Sequence, residues 1–396
     1  MSTGAAELLQ DTGGTVGGPE KTTETPQEIA ARSPLQLFWR RLRKDKVALV
    51  ALGFIVLLIL VALFANQVIS LTGQRPPNDQ STEYLDEFGS AGAPSSDNWF
   101  GTDALGRSVF SRVIIGARIS LEVAFISTAI ILVIGVVLGM VAGYYRGAVD
   151  TLISRCLDVL LAFPVLLLAL GLGAACSLQG CLQATGVGRA SIIAGLVLLA
   201  VPVIIYFIGR VRGRGGSTAV TRGDFLLRLA PGIFMILLGL FLLVILGEDR
   251  TLIQPGLPVV IFVIALAGVP YMARIIRGQV LSIREKEFIE AARSLGASDS
   301  RIIFRHILPN LVAPIIVYTT LIIPTNILFE AALSFLGVGV QSPTASWGSM
   351  IADAIEIFDT AWWYMTFPGL ALLLTVLAFN LVGDGLQDAL NPRTGR

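Results

Sequence analysis

Three acidic side chains lie within apolar stretches of the chain, where water is least available to a carboxylate. Glu330 interrupts one apolar stretch, Glu122 lies near the outer end of another, and Asp158 lies near the inner end of a third. Ionisable residues inside a membrane segment often belong to a proton or ion pathway. A relay needs several such groups at matched depth, whereas these three lie near different segment ends. Structural pairing or capping is therefore favoured over transport chemistry.

A second candidate site is a polar, basic loop between two long apolar stretches. Its centre reads Glu290-Ala291-Ala292-Arg293-Ser294-Leu295-Gly296 and runs on to Arg305-His306-Ile307-Leu308-Pro309-Asn310. Residues 285–295 favour a helix, and the two alanines give it a small, flat surface that another chain can approach. Gly296 is suited to the left-handed conformation that ends a helix, and Ser298 or Asp299 to capping the next one. The pattern predicts two short helices that form a docking surface.

Several kinds of chemistry are excluded by composition. Three Cys and one His do not make a cysteine- or histidine-rich metal site, so no metal is expected. None of the four lysines follows a glycine, so a phosphate-binding loop of the G-x-x-x-x-G-K type is absent. We therefore expect no cofactor on this chain and no ATP hydrolysis by that route.

The composition predicts an all-α polytopic membrane protein. Hydrophobic residues make up 54% of the 396 residues and charged residues 14%, with a mean hydropathy of +0.76, whereas a soluble domain averages about 25% charged residues. Segments of ~20 apolar residues are long enough to cross a bilayer. The sequence predicts eight spans: Val47–Ala65, Ile119–Tyr144, 156–174, Ser191–Gly209, 229–247, Pro258–Ile276, Leu311–Leu336 and Thr366–Val382.

Charge bias orients these spans. Residues 1–33 have the composition of a disordered tail, and the basic cluster that follows at 40–46 predicts that the tail is cytoplasmic. The Arg-rich loop 210–228 and the loop 277–310 are also predicted inside, and so is the C-terminus. The range 34–99 contains the first span and the loop that follows it. This loop is acidic and is predicted to lie outside. Arg107, Arg112 and Arg118 go against the rule, in a region where 109–118 suggests a helix at the outer interface.

Other residues carry weaker predictions. Gly135, Gly139 and Gly143 place a smooth stripe on one helix face, which suits either packing within the chain or a seam with another subunit. Cys176 and Cys181, five residues apart in a predicted outer loop, suit either a disulfide or two thiols. Cys156 is expected to be packed. An outer interfacial belt is predicted for four aromatic residues: Trp347, Trp362, Trp363 and Tyr364.

The central loop resembles the EAA loop of the membrane subunits of binding-protein-dependent ABC importers. That pattern has Glu-Ala-Ala, a Gly and a later Leu-Pro, matched here by Glu290-Ala291-Ala292, Gly296 and Leu308-Pro309. His306 stands where the general pattern favours an apolar residue. A histidine at this position, in Arg305-His306-Ile307-Leu308-Pro309-Asn310, resembles the form seen in dipeptide and oligopeptide permeases. Further stretches that are similar to the C-type subunit of that branch are 101–107, 116–120, 161–164, 334–337, 346–348 and 380–386.

The resemblance implies a six-span permease core that forms a heterodimer with a B-type permease. It also implies one or two ATPase subunits that bind ATP and Mg, and an extracytoplasmic substrate-binding protein; membrane lipid surrounds the complex and no nucleic acid is involved. Peptides lead the substrate classes, with nickel, opines and glutathione as alternatives in the same branch. The residues implied in coupling to an ATPase are Glu290, Ala291, Ala292, Arg293, Ser294, Leu295, Gly296, Ala297, Leu308 and Pro309.

The resemblance covers about 33–175 and 257–396. The segment 176–256 resembles an insertion of two extra spans in a permease domain that runs from 100 to 396, and two spans leave the central loop on the cytoplasmic side. The role of the insertion is open: filling the rim of the bundle or holding an accessory chain. The Arg-rich loop 210–228 is interpreted as a topology signal, with contact to an ATPase or anionic lipid as the alternative. A different class, an ion-coupled secondary transporter, would require paired acids at midplane depth, which the sequence does not show.

Overall fold

A computed structural model describes residues 42–86, 89–162, 164–167 and 257–390. These ranges are helical, and β-structure in them is limited to two isolated bridges. The α-helices are α1 Lys46–Leu63, α2 Ala65–Leu71, α3 Val109–Tyr145, α4 Gly147–Ala162, α5 Leu257–Arg284, α6 Glu287–Ser294, α7 Asp299–Ile302, α8 Leu308–Phe335, α9 Trp347–Ala354 and α10 Trp362–Leu390.

Five helical stretches are long and apolar enough to cross a membrane. They are α1, α3, α5, the continuous stretch Asp299–Phe335 that contains α8, and α10. Each matches one predicted span, so five of the eight are confirmed as membrane-length helices. The predicted span 156–174 begins within α4 and then leaves the described ranges. The spans at Ser191–Gly209 and 229–247 lie outside them, as do Cys176 and Cys181.

Helix α3 corrects one prediction. Residues 109–118 do not form a separate helix at the outer interface, because they are the first turns of the 37-residue helix α3. The hydroxyl of Ser108 caps this helix by accepting a hydrogen bond from the amide of Ser111.

The outer arginines that defy the charge rule are accounted for by pairing. Arg107 Nε lies 2.6 Å and Arg112 Nε 3.6 Å from Asp103 Oδ2, and all three side chains are buried. Buried charges are tolerated where they are paired and hydrogen-bonded. Arg107 meets both conditions through Asp103, whereas Arg112 is within ion-pair distance of Asp103 and donates to the carbonyl of Pro343 at 3.4 Å. These two arginines therefore make contacts within the fold, whereas Arg118 is exposed.

The glycine stripe packs within the chain. A Cβ atom on Gly135 would lie 2.7 Å from the Cβ of Met272, one on Gly139 would lie 2.6 Å from the carbonyl oxygen of Ala273, and one on Gly143 would lie 2.8 Å from the Cβ of Val280. All three neighbours belong to α5, which runs parallel to α3. Small residues spaced every four positions allow this close approach. Of the two alternatives left by the sequence, the structure shows the intrachain one.

The predicted aromatic belt is wrong for three of its four residues. Trp347, Trp363 and Tyr364 are buried, and only Trp362 is exposed. The indole of Trp347 donates to the carbonyl of Val113 at 3.1 Å, and the indole of Trp363 donates to the carbonyl of Thr102 at 3.1 Å. These bonds fasten α9 to the start of α3 and α10 to the segment before α3, and they provide the partners that buried indole N–H groups need.

Cys156 is the other residue whose environment differs from the prediction. Its thiol is free and exposed on α4, whereas the sequence analysis expected it to be packed. The buried face of α4 is narrow, with Leu157 as its buried residue.

Candidate functional site

The loop between α5 and α8 is anchored from beneath by three isoleucines. Ile289 on α6, Ile302 on α7 and Ile307 are fully buried, and they join the hydrophobic cluster formed by α3 and α5. Burying an isoleucine side chain contributes about 1.5–3 kcal/mol. The loop is therefore a packed unit on the end of the bundle, and we call 287–307 the knob.

The outward face of the knob carries the residues singled out by the sequence. Glu290, Ala291, Arg293, Ser294 and Gly296 are exposed. Leu295 is 88% exposed, while Ala292 and Ala297 are half-buried. This surface is available to another chain.

Sequence analysis missed two aromatic residues on this face. Phe288 and Phe304 are 41% and 65% exposed, and with Leu295 they place large apolar side chains on an otherwise charged knob. A contiguous exposed apolar patch is what marks a contact surface, and these three are the large apolar side chains that the outward face of the knob offers for one. Their positions were the available signal. Phe288 is next to the buried Ile289, and Phe304 lies two positions after the buried Ile302, so both side chains are expected to point away from the core.

Gly296 ends α6 as predicted. Its φ is +77°, the amide of Ala297 donates to the carbonyl of Ala292 at 3.1 Å, and the amide of Gly296 donates to the carbonyl of Arg293 at 2.9 Å. This pair of bonds is the Schellman arrangement, which requires a left-handed residue after the helix. The chain can then reverse towards α7 without leaving these carbonyls unpaired.

The second half of the knob is continuous with a span. α7 passes through a π-helical turn at Ile303–Ile307 into α8, so Leu308 and Pro309 lie inside one long helical stretch. Pro309 comes just after the π-turn, where the regular i→i−4 hydrogen-bond pattern of the helix is already interrupted. Asp299 does not cap α7; Ser298 occupies the cap position without a side-chain bond.

Asp299 instead connects the knob to α3. The hydroxyl of Tyr144, at the end of α3, donates to Asp299 Oδ1 at 2.7 Å, and Arg284 Nη1 at the end of α5 donates to the carbonyl of Tyr144 at 2.5 Å. The knob thus contacts α3 through Asp299, and the same end of α3 is joined to α5 through Arg284.

Ion pairs tie α4 to α5 near the same end. Arg277 bonds both oxygens of Asp150 at 2.5 and 2.7 Å, and these bonds hold the pKa of Asp150 below the usual range of a carboxyl. Asp158 pairs with Arg274 at 2.5 Å. Asp158 therefore has an ion-pair partner on α5.

We expect Tyr144→Phe to reduce substrate uptake several-fold while leaving assembly intact. The change removes one hydroxyl, whose hydrogen bond contributes about 0.5–1.5 kcal/mol, and it leaves the buried ring in place. Uptake and ATP hydrolysis by the purified importer measure the effect. Asp299→Ala and the double variant complete a cycle: strictly additive losses would show that the two groups act independently and would contradict the proposed connection.

Glu330 lies in a buried polar cluster that joins three elements. Its Oε2 accepts a hydrogen bond from Ser120 on α3 at 2.7 Å, and its Oε1 accepts one from Ser334 on α8 at 2.7 Å. The Ser334 hydroxyl in turn accepts from the amide of Val340 at 3.1 Å. A buried polar group is stable only when its hydrogen bonds are made, and this carboxyl makes them.

Sequence analysis missed a polar seam between α3 and α8 that includes Glu330. Asn326 donates to the hydroxyl of Thr128 at 2.8 Å, and both are buried. Asn326, Glu330 and Ser334 recur every four residues, which places them on one helix face. That spacing was the available signal.

The three acids singled out by the sequence are not brought together. Glu122 is half-buried one helical turn from Arg118, and within the described residues none of the three carboxylates bonds another. The arrangement favours structural roles over a relay for Glu330 and Glu122.

We expect Glu330→Gln to transport normally and Glu330→Leu to lose stability. Glutamine keeps the size and an acceptor for the serines, whereas leucine leaves buried hydroxyls unpaired at a cost of about 1–3 kcal/mol. Thermal unfolding and uptake of the purified importer test both variants. Loss of uptake in Glu330→Gln at unchanged thermal stability would instead assign proton chemistry to this residue.

The described fold is that of a polytopic helical membrane protein with an anchored knob at one end of its bundle. Residues 207–396 match the model of the binding-protein-dependent transport system inner membrane component. Residues 33–86 match the N-terminal TM domain of oligopeptide transport permease C. The first match begins inside 176–256, so the resemblance reaches further into this segment than the sequence motifs indicated.

Full-length similarity agrees with these matches. The chain is 35% identical over 377 residues to the dipeptide transport system permease protein DppC of Alkalihalophilus pseudofirmus, covering 95% of each chain. It is 37% identical over 362 residues to the glutathione transport system permease protein GsiD of Escherichia coli, covering 91% of each, and 36% identical to that of Shigella dysenteriae.

The chain therefore belongs to the family of inner membrane components of binding-protein-dependent transport systems. It is a membrane permease subunit of an ABC importer, and ATP is hydrolysed by separate ATPase subunits. The alternative of an ion-coupled secondary transporter is not supported.

Proposed function

We propose that this chain is the C-type permease of an importer of dipeptides or oligopeptides. The observation that carries the substrate class is the combined similarity to a dipeptide permease over 95% of the chain and to the N-terminal domain of oligopeptide permease C. In this proposal the translocation path runs between this chain and a B-type permease. An extracytoplasmic binding protein delivers the substrate, and one or two ATPases bind ATP and Mg.

The knob, residues 287–307, is proposed to be the surface that contacts an ATPase subunit. Three buried isoleucines hold it on the bundle while Phe288, Leu295 and Phe304 face outward. We propose that closure of the ATPases on ATP moves the knobs of the two permeases together and reorients the spans as rigid bodies.

The proposal includes a topology. Both termini and the knob are cytoplasmic, residues 1–33 form a cytoplasmic tail, and 176–256 adds two spans to a six-span core, giving eight. The described helices support the relative placement, because the start of α1 lies beside the end of α10: a Cβ on Gly385 would lie 2.5 Å from the Cβ of Ala48.

Mild-detergent purification of the tagged chain with mass spectrometry of its partners tests the assembly. We expect a second permease, an ATPase and a binding protein. A chain that purifies alone and transports on an ion gradient without ATP would overturn the proposal.

Competition assays test the substrate class. We expect unlabelled dipeptides and oligopeptides to inhibit uptake of a labelled peptide by the reconstituted importer. Glutathione is the second candidate because of the 37% identity to glutathione permeases. Uptake of glutathione that peptides do not inhibit would replace the peptide assignment.

A further inference from the structure

An apolar groove runs along the outside of the bundle between α1 and α10. Its volume is about 490 Å³. Ala51 and Ala378, both 5% exposed, form its floor, since two alanines facing each other leave a furrow between helices that carry larger side chains on either side. The walls are Val47, Val50, Phe54, Leu374, Leu377 and Leu381.

One cation, Lys46, lies at the mouth of this groove. It is exposed, and among the described residues its ammonium has no ion pair. The neighbouring carboxylate of Asp45 is already used, because it accepts hydrogen bonds from the amides of Val47 and Ala48. A lysine in the first turn also opposes the helix dipole, so an anion at this position would be favoured by both charges.

The dimensions suit an acyl chain. From Lys46 to Phe54 the groove follows α1 for about 12 Å at 1.5 Å per residue, close to the ~15 Å thickness of one hydrocarbon leaflet. The walls and floor offer no polar side chain apart from Lys46. The groove therefore combines an apolar channel of one-leaflet depth with a single cationic end.

We propose that this groove binds an anionic phospholipid of the cytoplasmic leaflet, with one acyl chain between α1 and α10 and the headgroup phosphate beside Lys46. Basic residues at the cytoplasmic surface attract anionic lipids. The leaflet assignment rests on the topology under Proposed function. The bound lipid would fill a surface that neither helix covers and would hold α1 against the bundle.

Native mass spectrometry of the delipidated, purified importer tests this site with phosphatidylglycerol and phosphatidylcholine of equal chain length. We expect tighter binding of phosphatidylglycerol, and we expect Lys46→Gln to weaken it about fivefold, the effect of one basic residue near an anionic lipid. Lys44→Gln is the matched control, because Lys44 is exposed two residues away and does not line the groove. Equal losses in the two variants would reduce the effect to general surface charge and overturn the site.

A second variant tests the apolar part without changing charge. Ala51→Leu fills the floor and is expected to lower retention of both lipids, with a thermal unfolding measurement to confirm that the chain is folded. Unchanged lipid binding in a folded Ala51→Leu importer would overturn the proposal. Crosslinking of a Val50→Cys variant to the second permease would do so as well, since it would show that a protein helix occupies the groove. These lipid measurements are independent of uptake, so failure of the importer assignment would be seen separately in the transport assay.

Discussion

Replacing Gly296 with leucine is expected to lower substrate uptake about tenfold while ATP hydrolysis and membrane insertion persist. The φ of Gly296 is +77°, and a left-handed conformation costs a residue with a Cβ roughly 1–2 kcal/mol. An energy of ~1.4 kcal/mol corresponds to a tenfold change in population. The leucine would disfavour the turn that joins α6 to α7, and with it the surface proposed to contact an ATPase. Parallel assays of uptake and ATP hydrolysis in proteoliposomes measure the uncoupling.

The glycine is a clean target because the effect is confined to the backbone. A Cβ at position 296 would meet no atom within 4 Å, so no collision accompanies the substitution. Gly296→Asn is the control, since asparagine tolerates the left-handed conformation, and it should retain most of the uptake. Normal uptake in Gly296→Leu would show that the knob does not couple ATP hydrolysis to transport. Glu290→Lys, which reverses a charge on the exposed face, should uncouple the importer in the same way.

Gly139→Ala is expected to destabilise the membrane domain more than Gly135→Ala or Gly143→Ala, the other two alanine substitutions in the glycine stripe. The new Cβ would lie 2.6 Å from the carbonyl oxygen of Ala273 and 2.8 Å from the Cβ of Ile276. Neither atom can move unless α3 and α5 separate, and overpacking of this kind costs about 1–3 kcal/mol. A lower midpoint of thermal unfolding for the purified importer would record it.

Gly278 on α5 provides the matched comparison. A Cβ there would meet nothing within 4 Å, and alanine favours a helix over glycine by up to ~1 kcal/mol. Gly278→Ala should therefore unfold at the same temperature as the unmodified importer or slightly above it. Similar midpoints for Gly139→Ala and Gly278→Ala would show that the α3–α5 contact is looser than described.

Features that depend on a few neighbouring residues were predictable from the sequence. The Schellman turn at Gly296 is an example, because its bonds join residues at most five positions apart. The membrane-length helices α1, α3, α5, α8 and α10 were predictable for a similar reason, since length and apolarity suffice to cross a bilayer.

Features that depend on distant parts of the chain were not predictable. The partner of Glu330 on α3, Ser120, is 210 residues away, and Trp363 donates to a carbonyl 261 residues away. Nothing in the local sequence distinguishes a tryptophan on a lipid-facing surface from one buried under a folded-back loop. The arginines at 107 and 112 were misleading for the same reason, because both lie beside the carboxylate of Asp103 within the fold.

The continuity of α7 with α8 has a mechanical consequence. The stretch Asp299–Phe335 is 37 residues long, or about 55 Å as a helix, with the knob at one end and Glu330 near the other. A displacement at the knob then rotates this long helix as a lever. The π-turn at Ile303–Ile307 is the place where such a helix can bend. Spin labels at the exposed positions 312 and 328, both beyond the π-turn, should keep a fixed separation through the ATP cycle. A change in that separation would place a hinge between them, where Pro314 and Pro324 lie.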